Sequence, residues 1–424
     1  MKQRLFSRDF ILVVIGQIIS LFGNATIRFA LPLYLLNQTG SSALYGTVMA
    51  CAFIPTILLS PIGGIVADRV NKRNIMVILD FFTAAVILGF SLLMGNVNLV
   101  VLLTVTMMLL YGIAGAYQPS VQASIPALVD PEHFMEANSI INTISSFANL
   151  IGPVLGGMLY SAYGLKMVLM LCMTCFFLSA VMEIFIRIPF TRQSFGGGIL
   201  KMVKEDFRES FHFIRKEKPQ IGRVTLVVCE INLFLSAMII VAVPYLVTEV
   251  LELGTENTAN TLYSFSQGAL AAGGLTGGIL AGVLGKKLSI HKAGSLIALA
   301  AAAVFPMGIA LALDLFAMGS YLVITGCCFV IMVLSTMFSV QMMSFVQAET
   351  PGHLIGKVIA VILTVSMCAQ PLGNALYGIL FEVCRGFEYA VVLFSGTASL
   401  MIAVGTRSIF KKYMGGRGEN IDRK

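Results

Sequence analysis

Charged side chains are rare in this chain, and five that interrupt or end long apolar runs are the first candidates for chemistry. Glu230 stands roughly 10 Å beyond Arg223 if the intervening residues are helical. Burial favours the neutral form of a carboxyl group, so an acid placed there can take up and release a proton. Glu230 is therefore the proton-coupling candidate; the alternatives are a structural hydrogen bond or a link to the cytosolic surface. Arg28 lies about two-thirds of the way across the first apolar run, at 1.5 Å per residue. Asp80 sits about one turn inside the third run. Glu183 and Arg187 end the sixth, one helical turn apart, and are expected to pair locally.

Uncharged polar residues form three stripes at helical spacing. Gln17, Ser20, Asn24 and Arg28 share one face, as do Asn138, Asn142, Ser145 and Asn149, and then Ser366, Gln370 and Asn374. Such a stripe on an apolar helix faces either a water-filled cavity or a helix partner. Gln17, Asn24, Arg28, Asn142, Asn149, Asn232 and Gln370 are the expected substrate-cavity residues. No run holds paired acids, His-x-x-x-His ligands or a nucleophile with its base, and no Gly-x-x-x-x-Gly-Lys loop is present. The reading is a protein that is not an enzyme, with no cofactor, no metal and no ATP site. Cys172 and Cys175 form a C-x-x-C inside an apolar run, where small-residue packing suits them better than redox or zinc chemistry.

The elements that must hold these residues follow from composition. Hydrophobic residues make up 57% of 424 positions and charged residues only 12%. A soluble domain carries about a quarter charged residues. A lipid-facing surface has to avoid them, because each charge at the bilayer centre costs about 2.5–3.5 kcal/mol on the insertion scale. Twelve stretches are long enough to span: 10–36, 42–66, 75–95, 99–124, 136–161, 165–188, 221–248, 259–284, 289–312, 317–345, 356–381 and 387–409. The first continues too far to be a cleaved leader.

With both termini in the cytosol, Lys166, Arg385 and Arg28 are the exceptions among 28 basic residues; all others fall in inner segments. That one-sidedness explains the net charge of +7 without nucleic acid. The expected organisation is an all-α integral membrane protein with two six-helix bundles, 1–188 and 221–410. A cytosolic linker, 189–220, joins them, and 411–424 forms a tail. Within the linker, Met202–Lys216 reads as a basic amphipathic surface helix. The four histidines, His133, His212, His291 and His353, all fall in connections expected on the inner side.

The halves repeat. Gly63-Gly64-Ile65 with Ala67 and Lys72-Arg73 aligns without gaps on Gly277-Gly278-Ile279 with Ala281 and Lys286-Lys287. Gln122-Ala123 with Pro126 matches Gln347-Ala348 with Pro351. Both matches hold the same place in their half, which marks a parallel duplication.

On these residues the chain resembles the major facilitator superfamily. Gly64-Ile65-Val66-Ala67-Asp68-Arg69-Val70-Asn71-Lys72-Arg73 follows the family's Gly-x-x-x-Asp-Arg loop with its basic pair. The resemblance implies a cytosolic gate made by Gly64, Asp68, Arg69, Lys72 and Arg73, with Asp68 accepting from a helix N-terminus. Asn71 stands where the family usually has Gly; Asn is the next-best residue for a left-handed turn. Gly152-Pro153-Val154-Leu155-Gly156-Gly157 looks like the antiporter motif of exporters. Asn24, Ala30-Leu31-Pro32 and Thr39-Gly40-Ser41 resemble the macrolide-efflux and siderophore-exporter branch. Span four departs from many drug–proton antiporters: Tyr111-Gly112-Ile113-Ala114-Gly115 contains no Arg.

The function this implies is a secondary transporter exporting small amphipathic molecules by proton antiport with alternating access. It would work as a monomer in the cell membrane, among lipids. The alternatives are a dedicated exporter of one metabolite, siderophore or lipid and, from another class, a transporter-like receptor.

Overall fold

The computed structural model describes residues 7–188, 207–284, 293–313, 315–351 and 354–421. Among them there is no sheet, and the chain runs as twelve long apolar helices. These are α1 (Arg8–Thr39), α2 (Ser42–Arg69), α3 (Lys72–Leu93), α4 (Leu99–Leu128), α5 (134–163), α6 (165–184), α7 (Pro219–Val250), α8 (Glu256–Leu284), α9 (Gly294–Ala312), α10 (Ala317–Glu349), α11 (Ile355–Val383) and α12 (Glu388–Ile421). In lipid only a helix or a closed barrel satisfies its own backbone, and these sequences are apolar over whole turns rather than alternating.

Turn chemistry sets the boundaries. Ser7, Ser41, Asn71 and Asn98 each cap a helix, their side chains accepting from Phe10 N, Leu44 N, Arg73 N and Val100 N. Gly40 closes α1 at φ 58°, and its N–H donates to Leu36 O. Between α5 and α6 the helical rise continues until Gly164, at φ 75°, breaks it, so one long helical run makes two spans. Asn71 is not left-handed. It lies at φ −60° as the α3 N-cap, so an Asn there serves a cap and the turn needs no glycine. α3 therefore begins at Lys72, which puts Asp80 two turns into the helix rather than one.

The chain forms two compact units. One is Met1–Glu205 with Gly254–Gly268; the other is Asp206–Leu253 with Ala269–Lys424. In the first, α1 packs on α5 and α6, α2 on α4, and α3 on α4 and α6. Its core gathers Phe10, Val13, Met76, Tyr117, Val121 and Ile125. In the second, α7 packs on α11, α9 on α10 and α12, and α8 on α10. The expected amphipathic segment Met202–Lys216 is described from residue 207 onward, where it is helical. Its Glu209 pairs with Lys357 at 2.8 Å, and Lys218 pairs with Glu349 at 2.6 Å. Of the histidines, His291 and His353 lie outside the described residues.

Candidate functional site

In the second unit the polar residues of α7 and α11 meet. α7 opens into a π-helical turn at Asn232–Ser236, a local widening that recurs at functional sites. Asn232 Nδ2 donates to Ser366 O at 2.9 Å, and Gln370 Nε2 donates to Asn374 Oδ1 at 3.1 Å. Gln370 and Asn374 are buried; the Asn232 amide ties α7 to α11, while the Gln370–Asn374 bond lies within α11. Glu230 stands two residues before the π turn. It is half-buried, and among the described residues no hydrogen bond or ion pair holds it. A small cavity against the π turn is lined by Asn232, Ser236, Ser335 and Ser339 with apolar neighbours, and Glu230 is not in its wall.

In the first unit α1 is the organising helix. Gln17 is fully buried, and its Nε2 donates to Tyr117 Oη on α4 at 2.7 Å. Tyr117 in turn donates to Glu183 Oε1 on α6 at 2.7 Å. Ser20 Oγ lies 3.4 Å from the same phenol oxygen. Glu183 therefore faces inward to Tyr117, while the Arg187 side chain is exposed and its backbone N–H donates to Asp9 Oδ1 at 3.0 Å. The expected local Glu183–Arg187 pair does not form, because α6 ends at Ile184 and the backbone turns away before Arg187. Asn24 lines a cavity of about 20 Å³ with Ser20, Asp80, Thr83, Tyr117 and Gln118.

Arg28 lays its guanidinium on the Tyr111 ring, 3.4 Å from the centroid, and Phe53 meets the same ring edge-on at 5.2 Å. An aromatic face attracts a cation through its quadrupole, so Tyr111 offsets part of the cost of holding Arg28 inside the unit. α1 thus brings a cation to the very part of α4 whose own sequence lacks one. Asn142 and Asn149 are on the exposed face of α5 and touch none of these groups.

The glycine motif of α5 packs rather than binds. A Cβ added at Gly152 would come within 2.5 Å of Ala25 Cβ, and one at Gly156 within 3.0 Å of Thr26 Cγ2. Gly157 lies against Ser264, in the part of α8 that belongs to this unit, with no space for any side chain. Thr26 Oγ1 donates to Gly152 O at 3.3 Å. Pro153 removes one backbone donor in the same turn, which loosens the helix where it crosses α1.

Of the expected gate residues, the surroundings of Gly64 and the Asp68 side chain lie outside what the structure describes. Arg69 ends α2 and Lys72 begins α3. Arg73 donates to the carbonyl of Ile184, the last residue of α6, where the helix dipole favours a cation.

Tyr117 and Ser179 were not among the residues singled out from the sequence. Neither carries a charge or lies on a polar stripe. Their partners are 66 to 163 positions away, so no local spacing marks them.

A family model described as Major Facilitator Superfamily matches residues 13–374. Macrolide efflux protein A of Streptococcus pyogenes is 25% identical over 393 residues, covering 92% of this chain and 93% of that protein. Lysophospholipid transporter LplT of Photorhabdus laumondii subsp. laumondii is 26% identical over 212 residues, 48% of this chain and 49% of that one. Among solved structures, nucleoside transporter NupG superposes with a TM-score of 0.73 at 12% identity, covering 96% of this chain and 100% of that chain.

Proposed function

The chain belongs to the Major Facilitator Superfamily, and we propose that it exports small amphipathic molecules of drug type by proton antiport with alternating access. The observation that carries this reading is the end-to-end similarity to a macrolide efflux protein, at 25% identity over nine-tenths of both chains. The α5 motif fits it: Gly152, Gly156 and Gly157 let helices approach to backbone contact, and a smooth, small-residue interface lets one helix slide on another. Glu230 is the proton carrier in this reading, since it is an acid within α7 that no partner among the described residues holds.

The substrate path uses Gln17, Asn24, Arg28, Asn142, Asn149, Asn232 and Gln370. The loop from Gly64 to Arg73 acts as the cytosolic latch. Both termini are cytosolic, in the cell membrane of a bacterium, and the protein works as a monomer. The domains divide at the linker 189–220.

A second reading is a lipid exporter, favoured by similarity to the lysophospholipid transporters over about half of the chain or less. One experiment separates the two. A pump-deficient bacterium expressing the chain is loaded with fluorescent dyes and macrolides, with and without a protonophore. Drug-type proton antiport lowers accumulation, and the protonophore restores it. Unchanged accumulation across the panel rejects the drug reading, and flipping of a labelled lysophospholipid in proteoliposomes then tests the lipid one.

A further inference from the structure

The first unit buries two carboxyl groups that the proposed cycle does not use. Asp80 on α3 is 2% exposed and Glu183 on α6 is 0% exposed. Among the described residues no ion pair reaches either one. Arg73, one of the two basic residues that open α3, donates to the Ile184 carbonyl. Arg187 points to the exterior and Arg28 lies on Tyr111. The charges that face the two acids are each other's, and the neighbouring titratable group is the Tyr117 phenol.

Counting donors shows where a proton is missing. Glu183 Oε1 accepts from Tyr117, which is itself supported by Gln17 and Ser20. Among the described residues Asp80 meets only one hydroxyl, Ser179, and that hydroxyl is claimed by a second acceptor. Ser179, the hydroxyl in contact with Asp80, donates its proton to Gly16 O at 3.1 Å. Thr83, one turn along α3, donates to Leu79 O at 2.8 Å. Asp80 Oδ2 and Glu183 Oε2 are both buried without a partner. So is Gln17 Oε1, on the same amide whose N–H meets Tyr117. The cavity of about 20 Å³ that opens between Asp80, Ser20, Asn24 and Tyr117 has space for one water.

Two like charges cannot stay ionised side by side in such surroundings, and an ionised Asp80 has only the Ser179 hydroxyl, which Gly16 O also claims. A protonated Asp80 reverses the deficit, because its O–H becomes the donor that Ser179 Oγ and the orphaned oxygens lack. We infer that Asp80 and Glu183 together bind one proton, held on Asp80, at a site inside the first unit that is separate from Glu230. Binding moves one proton from water to an Asp80 oxygen and release returns it; no other bond changes. The site does not depend on what the protein carries, so it stands or falls apart from the export reading.

The test uses purified full-length protein and infrared spectroscopy at neutral pH. One sample is unlabelled and the other is grown with aspartate carrying carbon-13 in its side-chain carboxyl. The expected result is a carboxylic-acid C=O band that shifts to lower frequency with the label. The band persists in Glu230→Gln and is lost in Asp80→Asn. No acid band at neutral pH, or a band the aspartate label leaves in place, overturns the assignment. Loss of the band when sodium replaces potassium overturns it in favour of an alkali-cation site. The label experiment needs no substitution, so a misfolded Asp80→Asn does not blunt the test.

Discussion

In the first unit Gly63 on α2 faces the α4 backbone, where an added Cβ would stand 2.7 Å from Ala116 Cα; in the second, its repeat partner Gly277 on α8 faces the α10 backbone, 2.5 Å from Val333 O. The same helix pair is thus drawn together by the same residue type in both halves. The polar interiors differ. The match of Gly63 to Gly277 places Gly294 where the first half has Asp80, and the separate match of Gln122 to Gln347 places Met342 where it has Tyr117. Met342 is buried as deeply as Tyr117 but has no proton to give. After duplication, helix contact kept its small residues because backbone contact admits nothing larger. The hydrogen-bonded interior was free to diverge, since an apolar side chain of similar volume fills the same space.

The comparison breaks first at the glycines. Gly63→Val and Gly277→Val are expected to cost about 3 kcal/mol or more each, beyond ordinary overpacking because the obstructing atoms are backbone. Both should nearly abolish the monodisperse peak in size-exclusion chromatography. Gly278→Ala, which meets nothing within 4 Å, should run as the native chain. If only one of the valine variants fails, the two contacts are not equivalent.

The next effect sharpens the difference between the interiors. Tyr117→Phe leaves Glu183 Oε1 without its donor, which costs about 1–3 kcal/mol. Met342→Leu in the second half conserves volume and should cost less than about 1.5 kcal/mol. Thermal unfolding in detergent ranks them, and a reversed order removes the structural weight given to the network. A smaller term is the cation on its ring. A double-mutant cycle on Arg28→Gln and Tyr111→Leu should return a coupling of about 0.5–2 kcal/mol. The smallest is Asn232→Ala, where one interhelical hydrogen bond in a membrane protein is worth about 0.6 kcal/mol. A cost several times larger would mean that the π turn itself depends on this amide.

The helices were legible before the structure, and so was their number. A span must be apolar over its whole length and the chain must break between spans, which leaves a signal 20 residues wide. Even the α5–α6 turn, where a single glycine with positive φ replaces a loop, falls between the expected stretches 136–161 and 165–188. The stripes of α1 and α11 were legible as stripes. Their partners were not: Gln17 donates to Tyr117 on another helix, while Gln370 turns to Asn374 on its own. Periodicity identifies a face but not what lies opposite it. The Asn71 expectation failed for a related reason. A family position usually filled by Gly suggested a left-handed turn, but the backbone uses the Asn side chain as a cap.

Amino-acid order alone is enough to mark a membrane protein of long apolar helices, with its acids and amides confined to a few turns. Those properties follow from the cost of charge and unpaired backbone in lipid, which acts residue by residue and needs no knowledge of neighbours. Helix packing is what turns Glu183 from Arg187 to Tyr117, rests Arg28 on an aromatic ring, and seals Asp80 beside hydroxyls that have other acceptors. A hydrogen bond acts over about 3 Å, and the atoms it joins here are brought together from helices up to 163 positions apart. Their pairing exists only once the helices have packed.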